Sequence, residues 1–170
     1  MKLEIKNRFT QDIIFTHEQE DNSIAITIKA AIDLKINLSR AYLSRADLSG
    51  ADLRLADLRW SDLSGANLSR AYLSWADLSG ADLRWANLSG ANLSGADITN
   101  TTGNSKEIKS IQSGKWIITF TSEIMSIGCH QHPIKDWLAF DDEKISSMHD
   151  DDLEFWKKWK PILKLIMERV

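Results

Sequence analysis

INLSR-AYLSR-ADLSG-ADLRL-ADLRW-SDLSG-ANLSR-AYLSW-ADLSG-ADLRW-ANLSG-ANLSG-ADITN, residues 36–100, is one five-residue phrase written thirteen times. Its middle residue is leucine twelve times and isoleucine once, at Ile98. Two residues earlier stands alanine in eleven of the thirteen, the exceptions being Ile36 and Ser61. A fixed period decides a fold before any local propensity does. A helix needs apolar residues at 3.6 spacing and a half-buried strand at spacing 2; five fits neither. A coil whose sides are one repeat long does fit, because every fifth residue then meets the same surroundings. Leucine and the alanine two before it point inward, as alternate residues of an extended segment do. Four repeats close a coil of twenty residues, and coils stack at about 4.8 Å through backbone hydrogen bonds. The array is then a little over three coils, roughly 15 Å of rod. The narrow interior needs alanine, and leucine fills the axis at crystal-like density.

The A(D/N)LxX phrase resembles the pentapeptide-repeat proteins. That resemblance implies a mainly β fold, a right-handed quadrilateral β-helix, over residues 36–100. Residues 103–170, through IGCHQH, KDW and FWKKWKPIL, look like the tail of pentapeptide-repeat proteins encoded by bacteriophages and prophages. Three regions follow: a cap at 1–35, the solenoid at 36–100, and an α+β capping or interaction region at 101–170.

Basic and acidic residues number 21 and 24, for a net charge of −3, which suits neither a nucleic-acid binder nor an acidic tail. The single cysteine fits a reducing compartment. The opening MKLEIKNRFT lacks the apolar core of a signal peptide. No stretch reaches eighteen apolar residues, so a cytoplasmic protein without a membrane span is expected.

Residues 1–21 predict a hairpin: Leu3 and Ile5 alternate with charge, and Ile13, Ile14 and Phe15 follow a polar turn. Residues 22–34 read either as a strand through Ile24, Ile26 and Ile28 or as a short helix capped by Asn22 or Ser23 that blocks the first coil. Coil ends expose unpaired backbone and must be capped. In the tail, 115–121 and 123–127 read as strands, HPIKDWL as a turn or helix from Pro133, and Asp141 or Asp142 as the start of a short helix. Asp150–Asp152 suit the start of a helix that Pro161 kinks or divides before Val170. Its stripe of Leu153, Trp156, Trp159, Leu163 and Ile166 (with Ile162) calls for a partner surface. That surface is either the open end of the array or a second subunit, which makes a homodimer one expectation.

The array holds no His, Cys, Glu or Lys, and its aspartates point to water, where no pKa is tuned for acid–base work. Neither enzyme activity nor a cofactor is expected. The tail offers Cys129, His130 and His132, with Asp136 and His149 downstream. C-H-x-H is not a familiar zinc spacing and a second cysteine is missing, so the plain reading is a small cysteine beside a turn.

Residues twenty apart stack. One wall carries Asn37, Asp57, Asp77 and Asp97, ending at Arg40, Trp60, Gly80 and Asn100; the next carries Tyr42, Asp62 and Asp82, ending at Arg45, Gly65 and Trp85. A third holds Asp47 and Arg70. The fourth holds Asp52, Tyr72 and Asn92, ending at Leu55, Trp75 and Gly95. Several pentapeptide-repeat proteins mimic DNA and engage topoisomerases, so the resemblance implies that the columns Asp57–Asp77–Asp97 and Asp62–Asp82 replace phosphates. Against this, six arginines offset the seven array aspartates, and Arg59 interrupts the best acidic wall. Trp60, Trp75 and Trp85 argue for a protein interface, because nothing in the coil asks for tryptophan there and tryptophan and arginine dominate hot spots. Arg59 beside Trp60 and Arg84 beside Trp85 pair cation with ring, and Leu55 and Tyr72 neighbour the same positions. Two functions follow as expectations. One is a phage-type inhibitor occupying the nucleic-acid site of a host DNA-acting enzyme or effector complex, a topoisomerase or an antiphage nuclease of the CRISPR kind. The other is a protein-binding scaffold using the tryptophan faces alone. Direct nucleic-acid binding is not expected of either.

Overall fold

A computed structural model describes residues 1–104, 106–113, 116–148 and 152–167. Parallel bridges join each residue to the one twenty further on: Tyr42 to Asp62 to Asp82 to Thr102, Asp52 to Tyr72 to Asn92, Asp57 to Asp77 to Asp97, and Asp47 to Asn67 to Asn87. The ladder is regular. Leu43 N–H donates to Asp62 C=O at 2.8 Å and Asp62 N–H to Ala41 C=O at 2.9 Å, and the same pair of bonds recurs along the array. Within each coil the chain turns every five residues. Each turn is closed by an alanine N–H reaching back to the preceding leucine C=O, as from Ala66 to Leu63 at 3.0 Å. The residue before that alanine is left-handed at every turn from Arg40 to Asn100, with φ from 55° at Asn100 to 71° at Gly90. The aspartate or asparagine one place before the leucine accepts the N–H two residues on, as Asp47 does from Ser49 at 3.1 Å and Asn92 from Ser94 at 3.0 Å. Asp and Asn recur there because their short side chains satisfy the local backbone.

The mid-phrase leucines from Leu48 to Leu83 (every fifth residue, so not Leu55) lie fully buried along the axis, with Ala66, Ala71 and Ala81 between them. Ser61 takes an alanine position; it too is buried, and its hydroxyl has no hydrogen-bond partner among the described residues.

At four corners a large side chain sits beneath a glycine. A Cβ added to Gly80 would lie 2.5 Å from the Trp60 ring, and one on Gly95 would lie 2.8 Å from the Trp75 ring. Arg45 likewise lies under Gly65 and Arg70 under Gly90. Glycine at these corners both accepts the positive φ and leaves room for the side chain of the coil before it.

Strands β1 (Lys2–Lys6) and β2 (Ile13–Glu18) form the antiparallel hairpin. Helix α1 (Ile24–Asp33) takes the helical alternative, capped by Ser23, whose side chain accepts from Ile26 N–H. Asn22 serves the hairpin instead, donating to His17 C=O at 2.8 Å. Ile28 and Ala31 of α1 and Ile5 of β1 close the first coil's core.

After the array, β3 (Lys109–Ser113), β4 (Trp116–Phe120), β5 (Ile124–Ile127) and β6 (His130–Pro133) form an antiparallel sheet in chain order. Helices α2 (Ile134–Ala139), α3 (Asp142–Ser146, capped by Asp141) and α4 (Asp152–Met167) pack on it. The tail departs from the expected order in its strands and in what its last helix covers. The strands β3 and β6 were not anticipated. Lys115 lies outside the described residues, and the second expected strand begins at Ile124. Helix α4 continues through Pro161 rather than dividing there; Asp150, Asp151, His149 and Val170 lie outside the described residues. The stripe on α4 packs on the tail's own sheet rather than on the array's open end. Trp156 and Leu163 are buried against Ile118, Phe120, Met125, Ile127 and Trp137, with Leu153, Trp159 and Ile166 at the margin, while Ile162 is exposed. The chain supplies its own partner surface, so this stripe no longer argues for a homodimer.

The last coil is capped by side-chain amides. Gln131 Oε1 accepts from Ile98 N–H and its Nε2 donates to Ala96 C=O, both at 2.9 Å. One coil below, the peptide of Asp97 makes the same two bonds to Leu78 and Ala76. Replacing Gln131 by alanine would orphan a donor and an acceptor together, at a cost of about 1–3 kcal/mol. Chemical denaturation would read the loss; a Gln131→Glu variant, which keeps only the acceptor, should fall between.

Candidate protein-binding faces

Leu55, Trp75 and Trp85 are 78%, 69% and 88% exposed, and each has a positive φ, of 60°, 61° and 64°. Left-handed backbone costs a residue with a Cβ about 1–2 kcal/mol, and glycine avoids it. These corners therefore combine backbone strain with apolar side chains in water. Trp60, also at positive φ and half exposed, completes the set.

The ladder places them. The wall bearing Asp57, Asp77 and Asp97 runs from the Leu55–Trp75 corner to the Trp60 corner, and the wall bearing Asp62 and Asp82 runs on from Trp60 to Trp85. Tyr72, exposed, lies on the wall leading into Trp75. Beside Leu55 and Trp75 the array meets α1 in a shallow groove with Ile32, Lys29 and Asp33 along it and the Asp52–Arg54 pair opposite. Sequence reasoning left α1 out of this site, although Lys29 and Asp33, four apart and ion-paired at 2.9 Å, were legible.

The arginines do not stack on the tryptophans. Arg59 reaches back to Asp57, with Nε at 2.9 Å from Oδ1 and Nη2 at 2.7 Å from Oδ2. Arg84 does the same to Asp82 and Arg54 to Asp52. Residues two apart on an extended segment point the same way, which puts each guanidinium over its own carboxylate. Arg59 Nε also lies 3.6 Å from Asp77. Asp82 is nearly buried, not a solvated phosphate mimic. The acidic columns are therefore largely neutralised from within: Asp57 and Asp82 are ion-paired, Asp62 feels the charge of Arg84, and Asp97 has no arginine ion pair among the described residues.

The hydrogen bond from Arg54 holds the Asp52 carboxyl down at about 2. Arg59 likewise lowers Asp57. At Asp82 burial favours the neutral acid, but the bonds from Arg84 and its N–H outweigh it and the net shift is downward. A depressed folded pKa contributes stability above the unfolded value, near 3.9, and loses it as pH falls through the folded value. The Asp52–Arg54 contribution should therefore be constant at neutral pH and fade between about pH 4 and pH 2. Denaturation midpoints of the wild type and Asp52→Asn across that range should converge at the acid end.

In the tail, Cys129 Sγ lies 3.6 Å from His130 Nδ1. His132 instead packs edge-on to the rings of Trp137 and Phe140, at 5.3 and 5.1 Å between centroids. Burial, then His130, pulls its pKa down. Among the described residues no three His, Cys, Asp or Glu side chains converge as metal ligands. No described helix is long and apolar enough to cross a membrane.

A backbone coil of repeated five-residue sides, capped at both ends, defines a repeat solenoid. Residues 35–70 and 66–102 match the family model described as pentapeptide repeats. A pentapeptide repeat protein from Nostoc PCC 7120 is 34% identical, over 51% of this chain and 79% of its own, with a TM-score of 0.23. The chain belongs to the pentapeptide-repeat family, whose members form a β-helix. A pentapeptide repeat protein from the cyanobacterium Cyanothece 51142 is 40% identical over 36% of this chain, with a TM-score of 0.36, and the match spans 43% of that protein. HetL from Nostoc, involved in heterocyst differentiation regulation, is 33% identical over 37% of this chain and 38% of its own, with a TM-score of 0.24. None of the curated proteins compared matches the chain.

Proposed function

We propose that this chain is a non-catalytic protein-binding solenoid that engages its partner through the corners at Leu55, Trp75 and Trp85 and the two aspartate walls between them. One observation carries the reading: bulky apolar residues are kept exposed at left-handed corners where glycine would be less strained. Strain retained at an exposed site points to function. Trp85 and Trp75 act as hot-spot anchors, while Asp62 and Asp97, which form no direct arginine ion pair among the described residues, supply negative charge at the rim. The same reading takes the array as thirteen repeats in a right-handed, four-sided coil, working in the cytoplasm.

A second reading concerns who the partner is. The aspartate ladder lies between tryptophan corners, which suits a basic surface that otherwise holds nucleic acid, as in a phage-type inhibitor of a host DNA-acting enzyme. The internal Arg–Asp pairs make this the lesser of the two.

Capture of a partner from host lysate, comparing wild type with Trp75→Ala/Trp85→Ala, tests the first. Loss of capture in the variant, with folding intact, is expected; unchanged capture would rule it out. Adding DNA and salt to the captured complex tests the second. Displacement by duplex DNA, weakening with salt and abolished by Asp62→Asn/Asp97→Asn, is required of a mimic.

A further inference from the structure

Side chains of the cap pair much of the array's last coil. Gln131 takes Ile98 and Ala96, Asn104 Nδ2 donates to Ala86 C=O at 3.1 Å, and the hydroxyls of Ser110 and Thr119 donate to Thr101 C=O at 2.9 and 3.2 Å. Between them, from Leu88 to Gly95, the edge is open. One coil below, the N–H groups of Leu68, Arg70, Leu73 and Trp75 donate to Asn87, Ser89, Asn92 and Ser94. Their counterparts at Leu88, Gly90, Leu93 and Gly95 have no acceptor among the described residues, and Ala91 C=O has no donor. Leu93 is the array leucine that is only half buried. The edge borders a groove of about 290 Å³, whose far rim is Lys106, Glu107, Lys109 and Glu123.

From this geometry we infer that the open edge along Ala91–Gly95 is a docking site for an extended segment of a partner protein, added as one more strand on the coil. Charge complementarity selects the occupant. The edge presents four N–H dipoles and one carbonyl, so it needs a backbone that offers carbonyl oxygens. One residue of the segment donates its N–H to Ala91 C=O and accepts Leu93 N–H at its own C=O, and the carbonyl two residues on accepts Gly95 N–H, as Asn92 and Ser94 do for Ala71, Leu73 and Trp75 one coil below. A small apolar side chain between those bonds covers Leu93. Two lysines and two glutamates on the rim cancel, leaving backbone rather than charge as the selector. A second copy does not fit. Its own open edge is equally rich in donors, and its first coil is covered by α1 and by the hairpin, where Arg8 N–H meets Arg40 C=O and Tyr42 N–H meets Lys6 C=O, each at 2.7 Å. That hairpin contact is itself an extended segment adding to a coil side in this chain.

Amide hydrogen exchange on the whole protein tests this, with an acetylated, amidated seven-residue peptide of alternating valine and threonine as probe. In the free protein, Leu93 and Gly95 should exchange fast while Leu73 and Trp75 stay protected. Millimolar peptide should slow Leu93 and Gly95 on the order of tenfold, and a proline-only peptide of equal length should not. Ser122→Trp, which fills the groove from its exposed rim, should abolish the effect while leaving Leu73 protected. Trp85→Gly should leave it intact, which separates this site from the tryptophan corners. Protection of Leu93 and Gly95 without peptide, in a monomer or a dimer, would overturn the inference, as would fast exchange unaltered by peptide.

Discussion

Leu73→Ala is expected to destabilise the protein by about 4 kcal/mol, near the top of the range for such truncations. Leu73 is fully buried and stacked between the leucines of neighbouring coils. The cost of a cavity depends on how far its walls can collapse. Here the walls are backbone, held above and below by bonds such as Leu73 N–H to Asn92 C=O at 2.8 Å and Asn92 N–H to Ala71 C=O at 2.9 Å. They cannot close inward without breaking that ladder. Leu93→Ala, at the half-open end of the same axis, should cost clearly less, about 1–2 kcal/mol, because water already reaches part of the side chain. Denaturant midpoints at constant slope would measure both. Equal losses at the two positions would mean that the axis relaxes freely, contrary to this account.

Trp85→Gly should move stability and binding in opposite directions. Glycine relieves a φ of 64°, and the indole is 88% exposed, so little packing is lost. A gain of about 1 kcal/mol is expected. Loss of an aromatic anchor should weaken partner binding by about 2 kcal/mol, roughly thirtyfold. Denaturation together with titration calorimetry on the captured partner would read both. A destabilised variant that binds as before would show that the ring serves the fold rather than recognition.

Most of the array was legible because one physical constraint, an axis one leucine wide, repeats in every phrase. The inward alanine and leucine, the stacking of residues twenty apart and the hairpin at Leu3 and Ile5 all follow from alternation and period. The arginine pairs escaped because the columns were read along the stack. Arg59 and Arg84 find their partners along the chain, two residues back. Gln131 escaped because a cap formed by one amide leaves no periodic trace, and its partners Ala96 and Ile98 lie 35 and 33 residues earlier. Strand β3, KSIQS, is mostly polar, and β6 is written HQHP, so neither carries the apolar alternation that marks a strand. The α4 stripe was legible as apolar but not as to what it covers, since that depended on a sheet half of which was unseen.

The nesting of rings over glycines gives this rod a memory of phase. Removing any single phrase from residues 61–75 would leave every leucine on the axis and every bond type in the ladder available. It would also bring Trp85, in place of Gly80, onto the ring of Trp60, two indoles where there is room for one. The interior counts in fives, but the corners count in twenties, so this chain can lengthen or shorten smoothly only by whole coils.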